Sequence, residues 1–203
     1  MRKLLVIVLL SNFLVAFSPL FSYAQTPSTV RVRGTITGID GQTILFTERS
    51  GEKLRIQMPE KFTIQEVYPI QMSDIQSNSF IGTATLPNKN GELIALEVLV
   101  FPESMRGVGE GHYPWDLEPG SYMTNATVSE FIKVGESGKL LLKYKDGEKT
   151  VLVPKDVPIV TFRPGSNSLL VPNAQALIVV SQQDGKIMAV RATIGKDGFK
   201  PPM

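Results

Sequence analysis

The sequence predicts an all-β protein of two small modules, and three observations predict it. Apolar and polar residues alternate with period two over short stretches. Turn-forming pairs separate those stretches at regular intervals. The same run of features then returns at a spacing of about 95 residues, the mark of an internal repeat.

Val30 to Arg33 alternates apolar with charged residues, and Thr35 to Thr37 continues the pattern past Gly34, which predicts a half-buried strand. Asp40-Gly41 is a hairpin signal because both residues tolerate positive φ. Thr43 to Thr47 predicts a second strand. After Ser50-Gly51, Leu54, Ile56 and Met58 alternate with Lys53, Arg55 and Gln57 in a third that stops at Pro59. A looser stretch follows with Phe62, Ile64, Val67 and Ile70, and Ser73 is a candidate cap for one helical turn. Phe80 to Leu86 and Leu93 to Phe101 complete the set, hinged at Asn90-Gly91.

Three anchors then recur in the same order. Ser50-Gly51-Glu52-Lys53 matches Asp146-Gly147-Glu148-Lys149, Pro59 matches Pro154, and Gly91 to Leu96 matches Gly185 to Val190. The expected modules are residues 28–101 and 124–194, with a tail over 195–203. Five or six short strands with one helical turn after the third suit a small closed barrel of the oligonucleotide/oligosaccharide-binding-like (OB-like) kind. Two small β-sandwiches are the alternative, since strand count does not separate them.

Residues 102–123 have no counterpart in the second copy. The segment reads PESMRGVGEGHYPWDLEPGSYM and holds the only His and the only Trp of the chain. Its glycines and prolines argue against a strand or a long helix. Its aromatic residues argue for an ordered segment between the modules, with Trp115 buried and its indole N–H bonded. The candidate ligand-binding residues are Arg106, Glu110, His112, Tyr113, Trp115 and Asp116. His112 with Glu110 and Asp116 could hold a divalent ion, although one histidine without a fixed partner spacing is a weak metal signal. Arg106 beside glycine amides suits an anion, or else a salt bridge to Glu103, Glu110 or Asp116. Ser104 or Ser121 with His112 and Asp116 lacks a nucleophile elbow, and Glu103, Glu110 and Asp116 have no hydrolase spacing. No catalytic residue and no cofactor is expected.

The first 24 residues carry an export signal: Arg2 and Lys3, an apolar run from Leu4 to Ala16, a break at Pro19, and small residues at Ser22 and Ala24. Without Arg2 and Lys3 the basic residues equal the 19 acidic ones, so the mature chain is formally neutral. That removes the electrostatic case for nucleic acid or an anionic membrane as partner. The absence of cysteine excludes disulfides, thiolate catalysis and cysteine metal sites.

The stretches VRGTITGIDGQ (Val32 to Gln42), FPESMRGVGEGHYPWDLEPGSYMTNATV (Phe101 to Val128) and IGKDGFKPPM (Ile194 to Met203) resemble an uncharacterised family of small exported bacterial proteins. Some members carry the label "metal ABC transporter permease". The resemblance implies tandem small barrels in the periplasm and no particular activity. A permease needs several spanning helices, and no apolar run of the required ~20 residues follows residue 24. The expectation is a soluble, non-catalytic periplasmic binding or scaffold protein for an envelope protein or a small polar ligand. A metal-handling accessory of a transport system and an enzyme with an unrecognised carboxylate site are the alternatives. Mature protein is expected to begin at Gln25, and an intact mass from the periplasmic fraction checks this.

Overall fold

A computed structural model describes residues 28–203; the predicted export signal lies outside the described residues. The protein is all-β, as the alternation predicts. Its strands are β1 (Thr29–Asp40), β2 (Thr43–Glu48), β3 (Lys53–Gln57), β4 (Thr63–Pro69), β5 (Phe80–Pro87), β6 (Leu93–Ala95) and β7 (Val98–Val100) in the first half. After them come β8 (Gly111–Pro114), β9 (Tyr122–Val134), β10 (Ser137–Tyr144), β11 (Gly147–Val153), β12 (Ile159–Pro164), β13 (Gln175–Gln183) and β14 (Lys186–Gly195).

The strands join into one mixed sheet that closes on itself twice. One ring runs β13-β1-β2-β3-β14 and returns to β13, with β3 and β14 parallel and the other pairs antiparallel. The other runs β5-β9-β10-β11-β6 and returns to β5, with β6 and β11 parallel. Closure removes exposed strand edges. Each ring has the five strands of a small OB-like barrel.

The expected module boundaries do not describe these rings. Residues 28–101 supply β1, β2 and β3 of one ring and β5 and β6 of the other, and residues 124–194 supply β13 and β14 of the first and β9, β10 and β11 of the second. The crossing strands β4 and β12 carry the exchange. They pair antiparallel, Val67 opposite Phe162, while β4 runs parallel to β14 and β12 parallel to β7. The physical reason is the stretch after the third strand: Ile64, Glu66 and Val67 are buried, so the segment expected to be loose is a packed strand leading out of its own ring. Glu66 lies opposite Arg163 and pairs with it, and the Arg163 guanidinium sits 4.8 Å from the Tyr68 ring centre.

Three cores follow. Ile36, Ile44, Phe46, Ile56, Ile178 and Ile194 fill the first ring. Ile81, Val98, Val128, Leu140, Leu142 and Val151 fill the second. Val67, Leu99, Val160, Phe162, Leu177 and Met203 form the third, between the rings. Short 3-10 turns at Met72–Asp74 and Asn167–Leu169 bring Ile75 into the second core and Leu169 into the first. The Asp74 carboxylate accepts the Gln71 N–H at 2.8 Å, so Gln71 precedes the turn and Ser73, the expected cap, lies within it.

Some matched positions fall on corresponding elements. Gly51 precedes β3 and Gly147 opens β11, each the strand that closes its ring by a parallel pairing. Ala95 and Ala189 are buried inside the second and first ring respectively.

Neither half can close a ring without the other. Residues 28–118 and 119–203, expressed together as two pieces, should therefore elute as one complex with the circular dichroism of the intact chain. Residues 28–118 alone should be largely unfolded.

Candidate functional site

The site is set by a bulge that occurs once in each ring. Thr85 pairs with Ala95 but Gly82 pairs with Leu99, so one extra residue intervenes where β6 ends and β7 begins. Val180 pairs with Ala189 but Val179 pairs with Arg191, and Val190 is left unpaired. Along a regular strand, Glu97 would point the same way as Ala95, into the ring, and Arg191 the same way as Ala189. One extra residue reverses the phase. It sends Glu97 and Arg191 to the outer faces, where the two rings meet, and returns Val98 and Ala192 to the cores. The Glu97 carbonyl accepts the Thr83 hydroxyl at 2.6 Å, which fixes the bulge.

Between the rings lies a cavity of about 170 Å³. Arg31, Leu177, Arg191 and Thr193 come to it from the first ring, and Gly82, Glu97, Leu99, Met123 and Asn125 from the second. Met105, Val108, Gly109, Tyr113 and Trp115 close it from the central segment, and Phe101 just after β7, Phe162 and Met203 complete it. Gly82 has to lack a side chain: a Cβ there would stand 2.6 Å from Asn125 Oδ1 and 3.1 Å from the Phe101 ring.

The polar atoms of this cavity are unusual. Among the described residues, four buried side-chain nitrogens or oxygens lack a hydrogen-bond partner, and three belong to cavity residues: Glu97 Oε2, Trp115 Nε1 and Asn125 Oδ1. Buried polar groups are almost always paired, and an unpaired one costs about 1–3 kcal/mol. Glu97 is 1% exposed. Burial pushes its carboxyl up to about 8, against a smaller opposing pull from Arg33. Asn125 has spent its donors, giving Nδ2 hydrogens to the Val108 carbonyl at 3.0 Å and the Tyr113 hydroxyl at 3.3 Å, so only its acceptor is free. Burial also raises the Tyr113 phenol, with Arg31 opposing.

The central segment is ordered, but two expectations about it are corrected. Gly111–Pro114 is a strand, paired with β9 from Gly111 opposite Asn125 to Pro114 opposite Tyr122. Four residues at a sheet edge accommodate both the glycine and the proline that argued against it. Trp115 is half-buried, and its N–H is unpaired rather than bonded. The Arg31 guanidinium stacks 3.9 Å from the Trp115 ring centre.

The six candidate residues separate into three groups. Tyr113 and Trp115 line the cavity. Asp116 stands beside it and binds Arg33 at 2.7 Å and Arg31 at 3.5 Å. Burial works against ionisation of Asp116, yet the two arginines outweigh it and hold its carboxyl below the usual range. His112 points to the opposite face of β8, as period two requires. It stacks on Tyr122 with ring centres 5.0 Å apart, and its Nδ1 lies 2.8 Å from the Thr124 hydroxyl. Burial, helped by Lys149, pushes its pKa down. Arg106 is turned away from the cavity, clasping Glu103 and the Asn78 carbonyl, so the salt bridge describes it and the anion site does not. Glu110 accepts the Lys145 N–H at 3.0 Å. His112, Glu110 and Asp116 therefore do not converge, and no group of three His, Cys, Asp or Glu that could hold a metal occurs among the described residues.

Glu97, Asn125, Arg191 and Gly82 were not among the residues singled out from the sequence. A signal for two of them was present. Glu97 follows Ala95 by two and Arg191 follows Ala189 by two, so strict alternation would bury a charge inside each barrel. A charged residue in phase with the core is the trace of a bulge. No comparable signal marks Asn125 or Gly82.

No family model, no curated protein and no solved structure matches the chain.

Glu97 carries a pH dependence with a definite sign. Its carboxyl is neutral in the folded protein up to about 8, whereas in the unfolded chain it ionises at the ordinary carboxylate value. The stability it contributes is complete below that ordinary value and is lost as pH rises towards about 8. Melting temperatures of the wild type should fall relative to Glu97→Gln between about pH 5 and pH 8. Parallel curves for the two proteins would show an ionised Glu97 throughout.

Proposed function

We propose that this chain is an exported, non-catalytic binding protein that holds a small polar-headed ligand in the cavity between its two rings. The observation that carries this reading is that three buried, unpaired polar atoms, Glu97 Oε2, Trp115 Nε1 and Asn125 Oδ1, belong to residues lining one cavity with largely apolar walls. Binding sites combine those two features: apolar surface for affinity and a few convergent polar groups for orientation. Export rests on the N-terminal charge, apolar run and cleavage triplet of residues 1–24. The corresponding places of Gly51 and Gly147, and of Ala95 and Ala189, support descent of the two halves from one duplicated module.

Several observations favour this reading over its rivals. A carboxylate hydrolase works with a pair of acids, and among the described residues Glu97 is the one acidic side chain lining the cavity. A metal-handling role would place a cation beside Arg31 and Arg191. The separation of His112, Glu110 and Asp116 weighs against it as well.

Trp115 is the only tryptophan and lines the cavity, so its emission reports occupancy directly. In a panel of small compounds with one polar head and an apolar body, some should change Trp115 emission and raise the melting temperature. At a ligand concentration of 100 Kd the stabilisation is about 2.7 kcal/mol. Val108 lines the cavity but is 45% exposed, which places it at the mouth. Val108→Phe should abolish both responses while the unliganded protein melts as the wild type does. If no compound acts on either readout, the cavity is a packing feature and the binding reading fails.

A further inference from the structure

We infer that the ligand of the inter-ring cavity is a small monocarboxylate with an apolar body, its carboxylate held by Arg191 and the Trp115 indole N–H; this rests on the binding reading above.

The charges around the cavity are unbalanced. Arg31 and Arg33 share the Asp116 carboxylate, and Arg33 Nε also donates to a Met203 main-chain oxygen at 3.0 Å. Arg191 lines the cavity while remaining exposed, and it has no ion pair or side-chain hydrogen bond among the described residues. The remaining acid, Glu97, does not correct the excess, because burial keeps its carboxyl neutral up to about 8. The lining therefore presents more positive charge than negative at neutral pH, which opposes a cation and attracts an anion.

The hydrogen-bonding inventory agrees. An indole N–H and a guanidinium can only donate, and a protonated carboxyl donates through its hydroxyl. These groups together call for a compact acceptor. A carboxylate offers about four lone-pair sites and fits the planar guanidinium fork. Asn125 Oδ1, the one free acceptor of the set that cannot also donate, takes a hydroxyl or amide hydrogen on the ligand body.

The walls and the size select the rest. Phe101, Met105, Val108 and Leu99 offer apolar surface, which disfavours a heavily hydrated anion such as phosphate. A dry cavity of roughly 150 Å³ accepts a benzene ring. The cavity of about 170 Å³ thus suits a body of one ring or a short branched chain.

The matched bulges explain why the two decisive groups are there. Each ring sends one residue out at this position, Glu97 from one and Arg191 from the other. Arg33 on β1 is the charge that acts on Glu97, with its Nε held by a Met203 main-chain oxygen, and Arg31, Arg191 and Tyr113 line the same cavity as Glu97.

The test compares 4-methylpentanoate with its neutral amide, 4-methylpentanamide, and with the cation isopentylamine, by calorimetry and Trp115 emission. The carboxylate should bind at least tenfold more tightly than the amide, and the amine should not bind. Arg191→Gln should weaken the carboxylate at least tenfold and leave the amide unchanged. Carboxylate affinity should fall once pH exceeds about 8, where Glu97 ionises, and Glu97→Gln should remove that fall. If the amide binds as tightly as the carboxylate, or Arg191→Gln changes neither, the carboxylate assignment is wrong while the cavity still binds small molecules. If the amine alone binds, the charge argument is wrong in sign. If none of the three changes heat or emission, and the wider panel is equally silent, both readings fall.

Discussion

The structure depends on the pairing of β4 with β12. Each strand runs parallel to a strand of the ring it follows, β14 for β4 and β7 for β12, and the antiparallel pairing of β4 with β12 joins the two rings before the chain passes from one to the other. Val67, Val160 and Phe162 on these two strands build the third core, and the buried Glu66 is matched by Arg163 across the pair. Without this crossing the two barrels would be independent bodies on a linker, free to move as such bodies generally are. With it, neither barrel is complete until both halves of the chain are in place. The inter-ring space then becomes an interior with fixed walls rather than a flexible cleft.

A fixed interior can hold polar groups that a loose one would solvate. Desolvation raises the Glu97 carboxyl because the walls of Leu99, Phe101 and Phe162 keep water from it, and unpaired groups of this kind work against stability. Natural cores tolerate such groups mainly where function requires them. The paired groups nearby follow the opposite pattern. Asp116 binds two arginines, Arg106 binds Glu103, and Asn125 uses both its amide hydrogens. The unpaired atoms gather at one cavity, and that concentration, more than any single contact, sets it apart from ordinary packing.

The central segment serves the architecture and the site together. Its strand β8 extends the second ring along β9, and alternation along that strand assigns the faces. Tyr113 turns to the cavity and His112 away from it, onto Tyr122 and Thr124. The chain's single histidine thus draws the eye in the sequence and stands outside the cavity in the structure. Trp115 lies where the segment meets the first ring, lining the cavity together with the Arg31 guanidinium that stacks on it. The electrostatic link between the rings runs through the same place: Asp116, two residues beyond the strand, binds arginines of β1.

What the sequence determined by itself is local: the β class, the positions of most strands, the turns at Asp40-Gly41 and Ser50-Gly51, and an ordered aromatic segment. These are legible because side-chain period and turn chemistry act between neighbours in the chain. Tertiary structure decided the rest. Parallel pairing of β3 with β14 joins residues far apart in sequence, and a matched pattern in two halves does not say whether each half closes on itself or on the other. The bulges between Ala95 and Leu99 and at Val190 shift the phase by one residue, and the cross-strand pairing locates them. That shift places Glu97 and Arg191 in the cavity; the sequence carries its trace as a charge in phase with the core, whereas the partners they meet there come from distant parts of the chain.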